Sequence, residues 1–212
     1  MIEVIRFEDK DHSPGLLESM FRLRHEIFVE RLGWKIQTFN GLEQDQFDQP
    51  GTIYLVRRNA AGEVVACTRM LRSDQPNLLK DVFPELVDGD VPSSPMIWEA
   101  SRLAVDHRKE KLRSLPGNWN LCGELFCGIQ EFAMWVGATN IVSVSDVRLE
   151  RILKIGGWQP QRLGRPHFIS GIDVCGEIFE VGPAALARIQ ARAKIKESVL
   201  SMPANSPLRK VA

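Results

Sequence analysis

The chain of 212 residues reads as a single α/β domain: a three-layer α-β-α sandwich around one mixed, largely antiparallel sheet of about seven strands. Three observations predict this. Short β-branched runs with alternating character sit at both ends of the sequence, and two of them are joined by a short polar link, as in a hairpin. Between and after them lie runs of helical period, and one strand-helix-strand succession in the second half reads as a βαβ unit. A chain of this length buries roughly 70% of the surface its unfolded form exposes, so one substantial core is expected.

"IEVIRF" is the first strand. "SPGLLESMFRLRHEIFVERLG" follows as an amphipathic helix with apolar residues at Leu16, Leu17, Met20, Phe21, Leu23, Ile27 and Phe28, capped near Ser13 with Pro14 in its first turn and stopped at Gly33. No period holds from Trp34 to Pro50. A connection of this length inside a compact domain is functional or disordered, and Trp34, Phe39 and Phe47 argue for function. "TIYLVRR" and "EVVACTRMLR" form the hairpin across "NAAGE". A turn-rich segment with a short helical piece near Leu78 to Val82 leads to the strand "MIWEASRLAV" and the polar loop "DHRKEKLRSLPGNW". "LCGELFCGIQEFAMWVGA" is apolar nearly all round and fits a helix packed on both sides; "NIVSVSD" and "VRLERILKIGG" are a strand and a helix. A strand pair in "HFISGIDVCGEIFEVG" and a closing helix, "AALARIQARAKIKESVL", complete a domain over residues 1–196, with 197–212 as a frayed tail.

Charge narrows the function. Lysine plus arginine (27) equals aspartate plus glutamate (27), which removes the bulk positive field of a nucleic-acid binder. No stretch reaches transmembrane length and no signal peptide opens the chain. Cys67, Cys122, Cys127 and Cys175 show no metal-binding spacing and sit among apolar residues, so they are expected as reduced, buried thiols in a cytoplasmic protein. GxSxG, CxxC, HExxH and P-loop motifs are missing, and the four histidines are scattered, which argues against a covalent nucleophile and a metal site.

What remains is an unusual set of charged and aromatic residues. Arg24 and Phe28 share one helical face, i and i+4, and Trp34 follows the helix end. Arg24 pairs with Glu26, Glu30 or solvent on the plain reading. "LEQDQFDQP" places Asp45 and Asp48 three apart, an arrangement that serves a polar turn, a helix cap, a metal or a cationic ligand group. Arg69 lies within "VVACTRMLR", and Glu99 and Arg102 within "WEASRLAV"; a structural ion pair is one account of them. Strand alternation points Glu99 and Ser101 one way and Trp98, Ala100 and Arg102 the other.

In order and spacing, "RLRHEIFVERLGW", "DQFD", "TRML" and "WEASRLAV" resemble the motifs of the LuxI-type acyl-homoserine lactone synthases, closely from Met20 to Asp106 and more loosely from Leu121 to Gly182. The resemblance implies a fold similar to the Gcn5-related N-acetyltransferases. It implies a reaction in which S-adenosylmethionine is acylated by a fatty-acyl thioester and released as an acyl-homoserine lactone with methylthioadenosine. S-adenosylmethionine is thus a substrate, and no cofactor is implied. The family's invariant set falls on Arg24, Phe28, Trp34, Asp45, Asp48 and Arg69, implied to bind S-adenosylmethionine, and on Glu99 and Arg102, implied to be catalytic. Glu99 is the candidate base. The acyl chain is expected between the second half of the sheet and the "LFCGIQEF" helix, against Trp98, Leu103, Phe126, Ile129, Ser143 and Ser145. Family members making 3-oxo products often carry threonine where Ser143 aligns. The donor is an acyl-carrier protein or acyl-CoA; Arg108, Lys109, Lys111 and Arg113, or Arg148, Arg151 and Lys154, are the basic clusters available to dock a carrier. An N-acetyltransferase acting on another amine would carry a glycine-rich pyrophosphate loop where this chain has "DHRKEKLRSLPGNW". A non-enzymatic acyl-ligand sensor would need neither Glu99 nor S-adenosylmethionine.

Overall fold

The computed structural model describes residues 1–11, 15–109 and 119–201. The expected cap at Ser13 and Pro14, the polar loop with Lys111 and Arg113, and the tail from residue 202 lie outside the described residues. The architecture is the three-layer sandwich read from the sequence. Among the described residues its central sheet has nine strands rather than about seven: β1 (Ile2–Arg6), β4 (Ile53–Arg58), β5 (Val64–Arg72), β6 (Ile97–Val105), β7 (Asn140–Asp146), β8 (Gln161–Arg162), β9 (His167–Ile169), β10 (Ile172–Glu180) and β11 (Leu200–Ser201). The order is β11-β1-β4-β5-β6-β7-β10-β8, with β9 also on β10, and only β1/β11 and β6/β7 are parallel. β8 and β11 are two residues long, too short to carry a visible alternation. A separate small pair, β2 (Thr38–Phe39) and β3 (Leu42–Glu43), lies in the long connection.

Alternation divides the sheet residues between two apolar layers. Ile2, Val4, Ile53, Leu55, Ala66 and Met70 pack beneath α3 (Trp119–Trp135) and α5 (Pro183–Ala193). On the opposite face Ile5, Tyr54, Val56, Cys67 and Ala104 pack against α1 (Leu16–Arg24). α2 (Leu78–Asp81) covers the second half of that face through Leu79, and α4 (Val147–Ile155) follows β7. α3 and α5 approach closely at Gly123, where a Cβ would lie 2.4 Å from that of Ala193. Among the described residues no helix is long and apolar enough to cross a membrane.

Three local expectations are corrected. The first helix is not α-helical to Gly33: after Arg24 it widens into a π-helical segment, His25–Arg31, in which the N–H of Leu32 reaches back five residues to Ile27. The closing helix ends at Ala193, with Lys194 in the left-handed region at φ 56°. Residues 199–201, expected in the tail, instead return to the sheet, because Glu131 of α3 accepts from the N–H groups of Val199 and Leu200 and the Val199 carbonyl accepts from Ile2 N at 2.6 Å.

Candidate active site

The acidic connection folds on its own carboxylates. Asp45 Oδ1 accepts from Phe47 N at 2.9 Å and Asp48 Oδ2 from Asp45 N at 2.8 Å, so the aspartates do build the polar turn their spacing suggests. The same carboxylates also meet three arginines. Arg24 grips Asp48 with both terminal nitrogens at 2.8 Å and gives its Nε to Glu43 at 2.5 Å, so its expected partners Glu26 and Glu30 are not the ones it finds. Arg69 bridges Asp45 at 2.5 Å and Asp48 at 3.2 Å, and Arg102 bridges Asp45 at 2.7 Å and Glu43 at 3.1 Å. Three cations thus balance three anions in one cluster beneath α1.

Within it the two aspartates differ. Asp48 is sealed: besides Arg24, Arg69 and Asp45 N it accepts from Tyr54 Oη at 2.8 Å, and its side chain is 0% exposed. Burial alone would raise its pKa, but the arginines hold the carboxyl well below the usual range, and burial beside it pushes the Tyr54 phenol up. Burial works against the Arg24 cation too, yet Asp48 and Glu43 keep it firmly charged. Asp45 keeps 13% exposure and is the more accessible carboxylate of the pair. Arg69 is fully buried, with Nε on Ser101 Oγ at 3.2 Å, while its Nη2 has no partner among the described residues.

Arg102 departs from the alternation read in the sequence. Between Cys67 and Arg69 of β5, which pair with Ala104 and Ser101, β6 contains one extra residue, and Arg102 takes φ 54° there. This bulge turns Arg102 to the same side as Ser101 and Glu99, into the carboxylates, rather than beside Trp98 and Ala100. A left-handed conformation costs a non-glycine residue about 1 kcal/mol or more, a cost that the charge contacts of Arg102 offset.

Aromatic surface borders the cluster. Phe28 and Trp34 stack with centroids 5.0 Å apart and planes at 10°, because Trp34 N is tied to the Phe28 carbonyl at 2.9 Å by the π-helical ending. Arg102 lies over Phe28 at 5.9 Å and Arg69 over Phe47 at 5.4 Å.

Glu99 lies on the same sheet face, wholly buried, with its two oxygens accepting from Leu78 N at 3.2 Å and Leu79 N at 2.7 Å. Burial raises its pKa, against the lowering pull of these N–H groups and of Arg69. The parallel ladder between β6 and β7 covers only Ile97 to Glu99 although both strands run on, so beyond Glu99 the two strands no longer pair. There Ser143 Oγ donates to the Ala100 carbonyl at 2.9 Å.

The residues expected around the acyl chain share the other layer. Trp98, Phe126 and Ile129 are buried in it and Leu103 packs on its edge. Ser143 and Ser145 are on β7, and Ser145 bonds Glu177 of β10. Of the basic clusters, Arg108 pairs with Asp106, Lys109 with Glu26, Arg148 with Asp146 and Lys154 with Glu150. The charge of these four is therefore opposed within the fold, while Lys111 and Arg113 lie outside the described residues.

The structure thus unites Arg24, Asp45, Asp48, Arg69 and Arg102 in one network, with Phe28 and Trp34 at its border and Glu99 on the same face. Sequence reasoning missed Glu43, although it lies in the same acidic stretch; its place beside Arg24 depends on the β2/β3 pair, which two-residue strands do not announce. It also missed Glu177.

Comparison with known proteins agrees with this geometry. The Autoinducer synthase family matches residues 8–186. An acyl-homoserine-lactone synthase of Acinetobacter nosocomialis is 32% identical over 85% of this chain and 100% of its own length. The structure of BjaI, a CoA-dependent acyl-homoserine lactone synthase with S-adenosylmethionine and isopentyl-CoA, superposes with a TM-score of 0.85 at 25% identity over 100% of this chain and 98% of that one. An acyl-CoA N-acyltransferase from Pseudomonas aeruginosa shares the fold at TM-score 0.54 and 14% identity, over 84% of this chain and 98% of its own.

Proposed function

The chain belongs to the autoinducer synthase family and is an acyl-homoserine-lactone synthase, and on that premise we propose how its residues divide the work. S-adenosylmethionine brings an ammonium, a carboxylate and a sulfonium. The observation that carries the assignment is the balanced cluster with two openings: Asp45, the accessible carboxylate, takes the ammonium, and the unpartnered Nη2 of Arg69 takes the carboxylate. The stacked pair of Phe28 and Trp34 offers a π face to the cationic end. Arg24, Asp48, Glu43 and Arg102 are positioning residues that hold those two groups in place.

The ammonium must lose a proton before its nitrogen attacks the thioester carbonyl. Glu99, whose raised pKa strengthens it as a base, accepts that proton directly or through one water. The N–C bond forms as the C–S bond breaks, and the carrier leaves as its thiol. Backbone N–H groups of β6 around Ser101 to Leu103, past the end of the β7 ladder, hold the carbonyl oxygen while it is negative. The ligand's own carboxylate then displaces the sulfonium, closing the lactone and releasing methylthioadenosine; this step needs orientation and no protein nucleophile.

For the donor we infer coenzyme A. BjaI, which superposes over the whole of this chain, is CoA-dependent, and that likeness supports the choice. The test is to incubate the protein with S-adenosylmethionine and matched acyl-CoA and acyl-carrier-protein thioesters, following methylthioadenosine and lactone by mass spectrometry. Turnover with CoA donors is expected. Consumption only with carrier-protein donors overturns the donor assignment, and no consumption with any donor overturns the reaction.

A further inference from the structure

The layer assigned to the acyl chain contains a carboxylate that the reaction does not use. Glu177, on β10, is 0% exposed, between Cys175 and Phe179 on the same strand face. Its Oε2 accepts a short hydrogen bond from the buried Ser145 hydroxyl, while its Oε1 has no partner among the described residues. Glu150 of α4 and Cys175 come within 4.8 Å of it, ligand atom to ligand atom, but this is a poor cation site: Glu150 is already held by Lys154 and by Arg162 at 2.6 Å. That occupies both oxygens of Glu150 and leaves Glu177 as the group with spare hydrogen-bonding capacity.

Its place relative to the reaction follows from strand register. Ala100 of β6 is bonded by the Ser143 side chain of β7, and Ser143 pairs with Glu177 of β10, so Glu177 stands two strands, about 10 Å or more, from the strand that carries the thioester site. Trp158 packs on Phe179, the next residue on Glu177's face, at 4.6 Å, and its indole Nε1 is also buried without a partner. An alkyl chain in this layer would leave both polar atoms unsatisfied, which buried groups do not tolerate cheaply.

We propose that Glu177, oriented by Ser145, selects acyl donors that carry a hydroxyl group far from the thioester. The inference rests on the synthase reading above. Burial raises the Glu177 pKa to about 7, so acid and carboxylate are both populated near neutrality. A hydroxyl donates to the carboxylate and accepts from the acid, whereas a ketone pairs only with the acid and a methylene with neither.

The experiment compares kcat/KM for 8-hydroxyoctanoyl and octanoyl thioesters, on the carrier that supports turnover, in the wild type and in Glu177→Leu and Ser145→Ala. The wild type should favour the hydroxylated donor by about tenfold or more, as sites built to pair a hydroxyl do. Glu177→Leu should reverse that preference, and Ser145→Ala, which frees Glu177 while removing little volume, should weaken it. A wild type indifferent to the hydroxyl, or a preference intact in the variants, overturns the inference while leaving the synthase reading standing. Only a failure of these and of every other donor of the matched panel to consume S-adenosylmethionine overturns the synthase reading itself.

Discussion

Arg24 and Asp48 form a two-pronged ion pair, Nη1 to Oδ1 and Nη2 to Oδ2, each at 2.8 Å, with both side chains removed from water. A pair of this kind is strongly destabilising to break, because the surviving partner is a buried charge without compensation, at roughly 3–5 kcal/mol. Asp48→Asn should therefore lower the melting temperature substantially. Asp45→Asn, at the accessible edge, should cost less stability yet weaken S-adenosylmethionine binding about tenfold or more. Thermal melting and calorimetric titration of both variants check this, and the reverse ranking would show that the roles of the two aspartates have been exchanged.

Glu99 gives a different signature. Glu99→Gln replaces one acceptor by an N–H₂ group facing the backbone N–H groups of Leu78 and Leu79, so a modest loss of stability, about 1–3 kcal/mol, is expected. Removal of the base should lower kcat by about 10²-fold or more, with S-adenosylmethionine affinity changed only a few-fold. A variant that keeps kcat while losing affinity would place Glu99 among the binding groups instead.

The strand framework was legible because alternation and hairpin chemistry are local: β4 and β5 meet across a turn in which Asn59 Oδ1 accepts from the N–H groups of Ala61 and Glu63. The positions that the resemblance picked out converge as well. What stayed hidden was set by contacts distant in sequence. Arg102 finds its partners on carboxylates about sixty residues earlier, and β11 depends on Glu131 of α3. Glu177, itself buried, shares its strand face with the buried Cys175 and Phe179, and its closeness to Ser145 of β7 and Glu150 of α4 is set by contacts distant in sequence.

That burial makes stability depend on pH. The Glu177 pKa is raised from 4.5 to about 7 by burial and by Glu150, against the lowering effects of Ser145, Cys175 and Arg162; Lys154 is held on Glu150 in the same group. The folded state therefore keeps its proton where the unfolded chain has released it. This contribution to stability is complete below about 4.5, falls as pH rises to about 7, and is flat above; its ceiling is ~3 kcal/mol. Asp48 acts oppositely and only below its ordinary value of 3.8, whereas burial raises the Glu99 pKa as well and slopes the profile the same way, so between pH 5 and pH 8 the Glu177 share is the difference between the wild type and Glu177→Gln in chemical denaturation. Glu177→Gln should flatten the profile in that window, and an unchanged slope would mean that another group produces it.

The bulge at Arg102 separates strain from charge. Both Arg102→Gly and Arg102→Ala remove the guanidinium from Asp45 and Glu43, so both lose the same contacts. They differ at the backbone: alanine at φ 54° keeps the left-handed penalty, and glycine relieves it. Glycine, usually the weaker strand residue, should here be the more stable variant by about 1 kcal/mol. Equilibrium unfolding of the two proteins reads the difference directly. If alanine proves the more stable, the strand has returned to regular pairing once the arginine is gone, and the carboxylates rather than the fold of β6 impose the bulge.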